Sequence, residues 1–546
     1  MKRHFTVPDI SELSLRERIG QTALMQMSWF MNKEDLADFL RENPIGNVWH
    51  NGNYNMNTTN LSMVVGAVAR DSEYYRKWAL SLYDIMKVPP FIGMDLVTPG
   101  FATNARDIVG ASTAGATDSE ELAYLYGRIH ARAARAVGAN YSWSTVVDMP
   151  SRFCASSLMR SISDKPERLC PMAAAMLRGV SDQGVASTAK HFPGLDDKEY
   201  RDGHISPVTL NMSLDEWREK PGAVFKAMID AGADSIMVAH IAFPAADDRR
   251  YGASYVPATL SYNVITKLLK EELGFEGVAI TDSVDMAALA AIYPNEEDLY
   301  VELLRAGNDI ILNVKRYDYV DIIERAVLDG RISEERINDA CERILRVKRR
   351  IFEKDYEPLI YDEILPEIEE ANRLLCERAI TLECDLDGML PLDQKKIKRV
   401  AIISSTHRDF AFEALHYMKE ALEARGMSVH MQRRLGSIAE IERIAAENDL
   451  IIYTGYLAPH APMGASSFYD EECETFFYAF MRGAEKSIGL SFGSVYMYYD
   501  FYANARAFAH AYNLSREAQE AFVKAIFGEI PFSGVVPYKK PGPREY

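Results

Sequence analysis

The sequence predicts a two-domain α/β protein, with an N-terminal (β/α)8 barrel at residues 1–350 and a smaller C-terminal α/β sandwich at residues 396–546. Two observations predict this class. Short apolar, β-prone runs alternate with amphipathic helical stretches over residues 44–312, and a fresh α/β pattern begins near residue 398. Strands that alternate with helices indicate βαβ units and a parallel sheet.

Seven apolar runs are the candidate strands of the first domain. They lie at residues 44–49, 89–95, 141–148, 185–192, 235–241, 277–282 and 309–312. Helical stretches such as residues 119–137, with apolar positions at helical spacing, separate them. A doubly wound sheet would show the same alternation. The barrel is favoured because polar residues end many different strands, whereas an open sheet gathers them at one switch point.

The second domain follows a predicted helical linker at residues 351–395. Helical stretches at 333–354 and 365–380 and a Gly388–Pro391 turn precede it. A smaller doubly wound domain then begins. Its predicted elements are a strand at 398–404, a helix at 407–425, a strand at 427–431, a helix at 437–448, a strand at 450–454 and a helix at 470–486.

Charge and composition narrow the class of function. Acidic residues number 79 and basic residues 61, which gives a net charge of −18. This sign argues against nucleic acid and anionic membrane surfaces as partners. The chain shows no Cys-x-x-Cys pair, no secretory signal at its start and no apolar run long enough to span a membrane. We therefore expect a cytoplasmic monomer or homodimer that binds a small molecule and needs no metal or cofactor.

The most informative segment is KHFPGLDDKEYRDGH at residues 190–204. Lys190 and His191 end a predicted strand and would face opposite ways unless the strand ends or twists there. Asp202 precedes His204 by two residues, so it can fold back, fix the tautomer of the ring and raise its basicity. Such a pair suits proton transfer near neutral pH. A plain solvated loop or a metal-binding loop would also contain these residue types.

Three further residues carry candidate chemistry. Asp282 follows an apolar strand, where a carboxylate can attack an anomeric carbon, or simply cap the next helix. Asp95 also ends a strand and could hold sugar hydroxyls, or serve only as a cap or turn residue. Arg160 is a substrate clamp or a surface arginine.

Together these segments resemble glycoside hydrolase family 3, in particular its bacterial β-N-acetylglucosaminidase branch. KHFPG followed by Asp202-Gly-His204 is the strongest part of the resemblance, and GVAITDSVDM at 277–286 is similar to the nucleophile strand of the family. Further similar segments extend from LRERIGQ at 15–21 to KAIFGEIPFSGVVPY at 524–538. Coverage of almost the whole chain makes chance agreement implausible.

The resemblance implies a role for each candidate residue. Asp282 would be the nucleophile, and His204 with Asp202 the general acid/base pair. The implied sugar-binding residues are Asp95, Arg160, Lys190, His191 and His240. The implied reaction is retaining, exo-acting removal of terminal β-linked N-acetylglucosamine (N-acetylhexosamine) from small glycosides or cell-wall fragments, as in peptidoglycan recycling.

Two departures from the family pattern leave the substrate open. Residues 96–100 (LVTPG) lack the acidic, Gly-Gly and arginine-containing run of the branch, and Ser283 stands where many members have a second aspartate. One alternative is a phosphorylase, because a neutral acid/base does not repel an anionic acceptor. Another is a β-glucosidase that takes a glutamate from the acidic stretch at 458–474. The third is a catalytically silent carbohydrate-binding protein.

Overall fold

The computed structural model describes residues 4–26, 33–49, 71–95, 108–150, 159–195, 199, 201–290, 292–293, 295–352, 359–406, 408–457 and 470–539. The chain divides into two compact units. The first comprises residues 1–106, 123–151 and 166–367, and the second comprises 107–122, 152–165 and 368–546. The second unit thus takes two segments from within the range predicted for the barrel, because neighbours along a chain need not pack in one core.

The strands are named here in chain order. They are β1 Ala23–Gln26, β2 Asn47–Trp49, β3 Phe91–Met94, β4 Tyr141–Ser142, β5 Thr145–Val146, β6 Thr188–Phe192, β7 Val208–Thr209, β8 Ser235–Val238, β9 Ile241–Ala242, β10 Arg250–Tyr251, β11 Ser254–Tyr255, β12 Val278–Thr281, β13 Ile311–Val314, β14 Thr381–Asp385, β15 Arg399–Ser404, β16 Ser428–Arg433, β17 Leu450–Gly455, β18 Ser487–Ser491 and β19 Ala507–His510.

The helices alternate with these strands. They are α1 Leu15–Gln21, α2 Lys33–Glu42, α3 Ser72–Ile85, α4 Ala111–Ala116, α5 Glu120–Ala136, α6 Pro166–Ser181, α7 Leu214–Glu219, α8 Pro221–Asp230, α9 Ala287–Ala290, α10 Glu296–Ala306, α11 Tyr319–Leu328, α12 Glu334–Phe352, α13 Tyr361–Ala379, α14 Asp409–Glu413, α15 His416–Glu423, α16 Ile438–Glu447, α17 Asp470–Tyr478 and α18 Arg516–Ile526. A further helix spans Asn263–Glu272.

The first unit contains two all-parallel sheets, in the orders β13-β1-β2-β3-β4 and β12-β8-β6-β5. Isolated parallel bridges join Tyr141 to Ala186 and Ile280 to Ile310. Apolar side chains from both sheets, including Leu24, Phe91 and Ile280, share one buried cluster. Since neighbouring strands are parallel, their carboxyl ends lie at the same end of each sheet, which is where α/β enzymes place polar side chains.

The second unit is built on a six-stranded sheet in the order β16-β15-β17-β18-β19-β14. Its strands are parallel except for β14, which runs antiparallel to β19. The sheet includes β14, so the predicted linker at 351–395 contains a strand of the second unit as well as the whole of α13. The α/β class with parallel sheets is confirmed for the chain.

Among the strands of the three larger sheets, the sequence did not predict β1, β14, β18 and β19. Residues such as Gly489, Ala507 and Ala509 have low intrinsic preference for strands, and their segments are short. These strands depend on pairing with neighbours that lie far away in the sequence. By contrast, the seven predicted runs of the first unit each contain a strand, because β-branched and large apolar residues dominate them.

Among the described residues, no helix is both long enough and apolar enough to cross a membrane.

Lys348 on α12 is a lysine buried without a carboxylate partner in its hydrogen bonds. Its Nζ donates to Gln21 Oε1 at 2.7 Å and to the Gly46 carbonyl at 3.0 Å, and the side chain is 0% exposed. Burial disfavours the charged form and lowers the pKa of Lys348 to about 7. The unfolded chain loses this proton at about pH 10.4, the ordinary pKa of lysine. The folded state therefore loses it about three pH units lower.

Replacing Lys348 by methionine is expected to change how stability depends on pH. Between about pH 7 and pH 10 the unfolded lysine holds a proton that the folded one lacks, so wild-type stability rises with pH relative to Lys348→Met, by at most about 1.4 kcal/mol per pH unit. Urea unfolding at pH 6, 7, 8 and 9 measures this difference. Lys77→Met, at a side chain that is 71% exposed, is the control and should give a flat difference. A flat difference for Lys348→Met would contradict the expectation.

Candidate active site

Asp282 occupies the carboxyl end of β12, as the sequence predicts. Its backbone N–H donates to the Val238 carbonyl at 2.8 Å, which continues the pairing of β12 with β8. Its Oδ1 accepts a hydrogen bond from the Ser283 N–H at 2.8 Å. The carboxylate is therefore fixed by a local turn and is only partly buried.

The electrostatic surroundings keep Asp282 ionised. Burial alone would raise the pKa of this carboxyl, but the positive charge of neighbouring histidines and the bond from Ser283 outweigh burial and hold the pKa below its usual range. The histidines are His191, His240 and His204. Burial lowers the pKa of His240 itself. An ionised carboxylate at this position can act as a nucleophile.

His204 and Asp202 form the predicted pair. Asp202 Oδ1 lies 2.7 Å from His204 Nδ1 and accepts the His204 backbone N–H at 2.9 Å. The Asp202 side chain is 0% exposed and that of His204 is 27% exposed. Because a carboxylate only accepts hydrogen bonds, Nδ1 carries a proton, and Nε2 is the nitrogen left to exchange a proton with a ligand.

The loop that carries this pair is anchored at several points. Glu199 accepts two hydrogen bonds from the Arg201 guanidinium, at 2.9 and 2.6 Å, and one from the Thr209 N–H at 3.1 Å. β7 then pairs with β9, and the His204 carbonyl accepts from Ala287 N–H at 3.3 Å. These bonds hold the described part of the loop near the end of β12. Residues 196–198 and 200 lie outside the described residues.

Lys190 and His191 lie where β6 departs from regular pairing. Lys190 pairs with Met237 and Phe192 with Val238, so His191 is an extra residue in the register. Such a bulge redirects side chains and is common beside active sites. The buried Lys190 Nζ lies 3.3 Å from Asp95 Oδ2, whose side chain is 31% exposed. Two of the predicted sugar-binding residues thus form an ion pair at the ends of β6 and β3.

Asp148 is a site residue that the sequence analysis missed. Its Oδ2 lies 2.6 Å from His191 Nδ1, and its Oδ1 accepts the His191 N–H at 3.2 Å. Asp148 is buried, and its two contacts orient the His191 ring. The available signal was its position at the end of the run 141–148, the same signal that identified Asp95 and Asp282. The site therefore has two histidine–carboxylate pairs.

Asp148→Asn is expected to move the acidic limb of the pH profile of kcat/KM upward by about 1 pH unit. The amide replaces the carboxylate that holds His191 in place, and His191 makes the largest contribution that lowers the pKa of Asp282. Kinetics from pH 4 to 8 measure the shift. Asp215→Asn, at a side chain that is 91% exposed, removes the same charge elsewhere and should leave the profile unchanged. Lower activity with an unshifted limb would contradict the expectation.

His240 occupies a position different from a sugar contact. Its Nδ1 lies 2.9 Å from Thr259 Oγ1, and its Nε2 lies 2.9 Å from the Ser283 carbonyl, so both ring nitrogens have protein partners. The ring is 3% exposed and supports the turn that follows Asp282. The hydrogen bonds thus favour a positioning role over the predicted sugar-binding role, because a buried ring with both nitrogens in use has none left for a ligand.

The remaining predicted residues are placed as follows. Arg160 belongs to the second unit, and its sugar contact stays a prediction. Residues 96–107, which include the departure LVTPG, and most of the acidic stretch at 458–474 lie outside the described residues. In the described part of the chain, no group of three or more histidine, cysteine or carboxylate side chains is arranged so that it could hold a metal ion.

Parallel sheets with acidic and basic side chains at the carboxyl ends of their strands are typical of α/β enzymes. The family model described as "Glycosyl hydrolase family 3 N terminal domain" matches residues 14–347. The chain belongs to glycosyl hydrolase family 3, which confirms the resemblance.

Individual relatives add detail. The chain is 26% identical over 472 residues to a protein of Cellulomonas fimi named "Beta-N-acetylglucosaminidase/beta-glucosidase", with 80% of each chain covered. In other curated relatives, named β-hexosaminidases, the match spans about half of their length (49% and 55%).

Two solved structures share the fold. "Beta-glucoside phosphorylase BglX" matches with a TM-score of 0.80 at 23% identity, covering 97% of this chain and 94% of that one. A family 3 β-N-acetylglucosaminidase from Paenibacillus sp. matches with a TM-score of 0.78 at 24% identity, covering 96% and 99%. At these identities the likeness concerns the fold.

Proposed function

We propose that this protein is a retaining, exo-acting β-N-acetylglucosaminidase. The observation that carries the proposal is that an ionised Asp282 and the Asp202–His204 dyad lie at the same end of the first unit's sheets, where His204 acts electrostatically on Asp282. Membership of family 3 and the printed names of the curated relatives support it. A binding protein would need neither a nucleophile nor a proton donor.

The first chemical step uses both groups. Asp282 attacks the anomeric carbon, and the bond to the leaving oxygen breaks as His204 Nε2 gives that oxygen a proton. A glycosyl–aspartate ester remains. Asp202 contacts Nδ1 of His204 and so fixes the ring that donates the proton.

The second step reverses the roles. Neutral His204 takes a proton from water, and the water oxygen attacks the anomeric carbon while the ester bond to Asp282 breaks. The configuration at the anomeric carbon is retained because it inverts twice. The Asp95–Lys190 pair and His191 hold sugar hydroxyls, and these bonds strengthen as charge develops in the transition state.

We also propose that the eight strands β1, β2, β3, β4/β5, β6, β8, β12 and β13 close into a (β/α)8 barrel. The two isolated bridges support this, since the Ser142 N–H donates to Ala186 at 2.9 Å and the Thr281 N–H donates to Ile310 at 3.0 Å. These bonds link the edges of the two parallel sheets on both sides.

One assay tests the proposed function. Hydrolysis of an aryl β-N-acetylglucosaminide is compared with that of an aryl β-glucoside, each with and without inorganic phosphate. We expect the N-acetylglucosaminide to react faster, with no requirement for phosphate. A faster glucoside would indicate a β-glucosidase, sugar phosphate as the main product a phosphorylase, and no turnover a binding protein. Each of these three results would contradict the proposal.

A further inference from the structure

Two tyrosines, Tyr251 exposed and Tyr293 partly buried, form an aromatic pair in the first unit. Tyr251 is 47% exposed, and its ring centroid lies 5.6 Å from that of Tyr293, with 35° between the ring planes. Neither ring has been given a role in the proposed reaction. An aromatic surface that the fold leaves in solvent marks a binding site more often than an isolated apolar residue does.

Tyr251 lies on a loop with a rigid base. The loop leaves the carboxyl end of β9, just after His240, and an antiparallel bridge from Ala242 to Pro257 closes it. Inside the loop, the buried Asp247 accepts from Arg249 Nη2 at 2.6 Å and from Ser261 Oγ at 2.5 Å. These bonds fix the start of the β10–β11 hairpin, so the backbone that carries Tyr251 is held in place.

Side-chain contacts between its two strands stabilise the hairpin. Arg250 pairs with Tyr255 across β10 and β11. The Arg250 guanidinium lies 4.0 Å from the centre of the Tyr255 ring, and its Nη2 donates to the Tyr255 hydroxyl at 2.6 Å. The Tyr251 ring therefore needs little further ordering when a ligand binds, which reduces the entropic cost of binding.

Tyr293 lies on the segment that follows Asp282, the proposed nucleophile, and that contacts His204, the proposed acid. The turn after Asp282 leads into α9, whose first residue, Ala287, donates its N–H to the His204 carbonyl. α9 is 4 residues long, or about 6 Å. Tyr293 N–H then donates to Leu289 at 3.0 Å. The aromatic pair thus joins the loop after β9 to the segment that starts at Asp282 and passes His204.

We infer that Tyr251 and Tyr293 form a binding platform for the sugar ring of the leaving group. The inference rests on the proposed function, because His204, which protonates the leaving oxygen, identifies the side on which that group lies. β-Linked pyranoses present an apolar face of axial C–H bonds edged by hydroxyls. Tyrosine matches such a face, since it combines a large apolar ring with a polar hydroxyl.

The test compares two substrates whose leaving oxygens both need a proton from the general acid. N,N′-diacetylchitobiose releases a sugar, whereas methyl β-N-acetylglucosaminide releases methanol, which cannot stack. In Tyr251→Ala and Tyr293→Ala, kcat/KM for the disaccharide is expected to fall by about 10-fold, as for a lost aromatic contact worth about 1.5 kcal/mol. For the methyl glycoside it is expected to stay within about 2-fold.

Tyr262→Ala is the matched control, because this tyrosine is also 47% exposed but lies at the start of the Asn263–Glu272 helix. It should affect neither substrate. Equal losses on both substrates in the platform variants, or no loss on the disaccharide, would overturn the inference. Failure of the wild type to hydrolyse either N-acetylglucosaminide would instead overturn the proposed function, so the two failures are distinguishable. Thermal unfolding confirms that each variant folds.

Discussion

Asp282→Asn is expected to lower kcat by about 10⁴-fold or more while leaving the fold and substrate binding nearly unchanged. The amide has the shape of the carboxylate and can still accept the Ser283 N–H bond, but it cannot form the ester intermediate. Steady-state kinetics on the aryl β-N-acetylglucosaminide measure the loss, and thermal unfolding checks the fold.

A sharper form of this test uses an added nucleophile. In Asp282→Ala the truncated side chain leaves space for azide on the face from which Asp282 attacks. Azide should restore turnover and release the α-glycosyl azide, the product of a single inversion. Activity above about 1% of wild type in Asp282→Asn, or azide rescue with retained configuration, would exclude Asp282 as the nucleophile.

The second large effect is expected for His204→Ala, and its size should depend on the leaving group. Loss of a general acid costs about 10²- to 10⁴-fold when the leaving oxygen needs a proton. A methyl glycoside or disaccharide should therefore suffer this full loss in kcat/KM. A dinitrophenyl glycoside, whose leaving group departs without a proton, should keep kcat/KM within about 10-fold of wild type.

Azide again separates the roles. It needs no general base, so in His204→Ala it should speed breakdown of the intermediate formed from the dinitrophenyl substrate and release the β-glycosyl azide. Asp202→Asn should show a weaker form of the same leaving-group dependence, because an amide oxygen is a weaker acceptor for His204 Nδ1 and orients the ring less firmly. Equal losses for good and poor leaving groups would mean that His204 is not the acid.

The candidate site was predictable where the signal is local. Asp202 and His204 are two residues apart, so their hydrogen bond follows from a short turn that the sequence itself shows. Asp282 follows an apolar strand, and the end of a strand in a parallel sheet places a side chain at the catalytic edge whatever the details of packing.

Non-local partners were not predictable. Asp148 and His191 are 43 positions apart, and Lys190 and Asp95 are 95 apart. Strand pairing brings Asp148 to His191, because β5 lies beside β6, and an extra residue in β6 redirects His191. Asp95 and Lys190 come from strands of two different sheets. The family resemblance implied a sugar contact for His240, but its partners Thr259 and Ser283 come from two other segments and occupy both ring nitrogens.

The sequence by itself determined the α/β class through its periodicity and the family through the resemblance of its motifs, and that resemblance identifies the proposed nucleophile and acid/base pair. Only the tertiary structure decided which segments make up the second unit, that a second histidine–carboxylate pair flanks Asp282, and that Tyr251 meets Tyr293. Those outcomes depend on register and on contacts between segments far apart in the chain, which hydrophobic pattern and local preference do not specify.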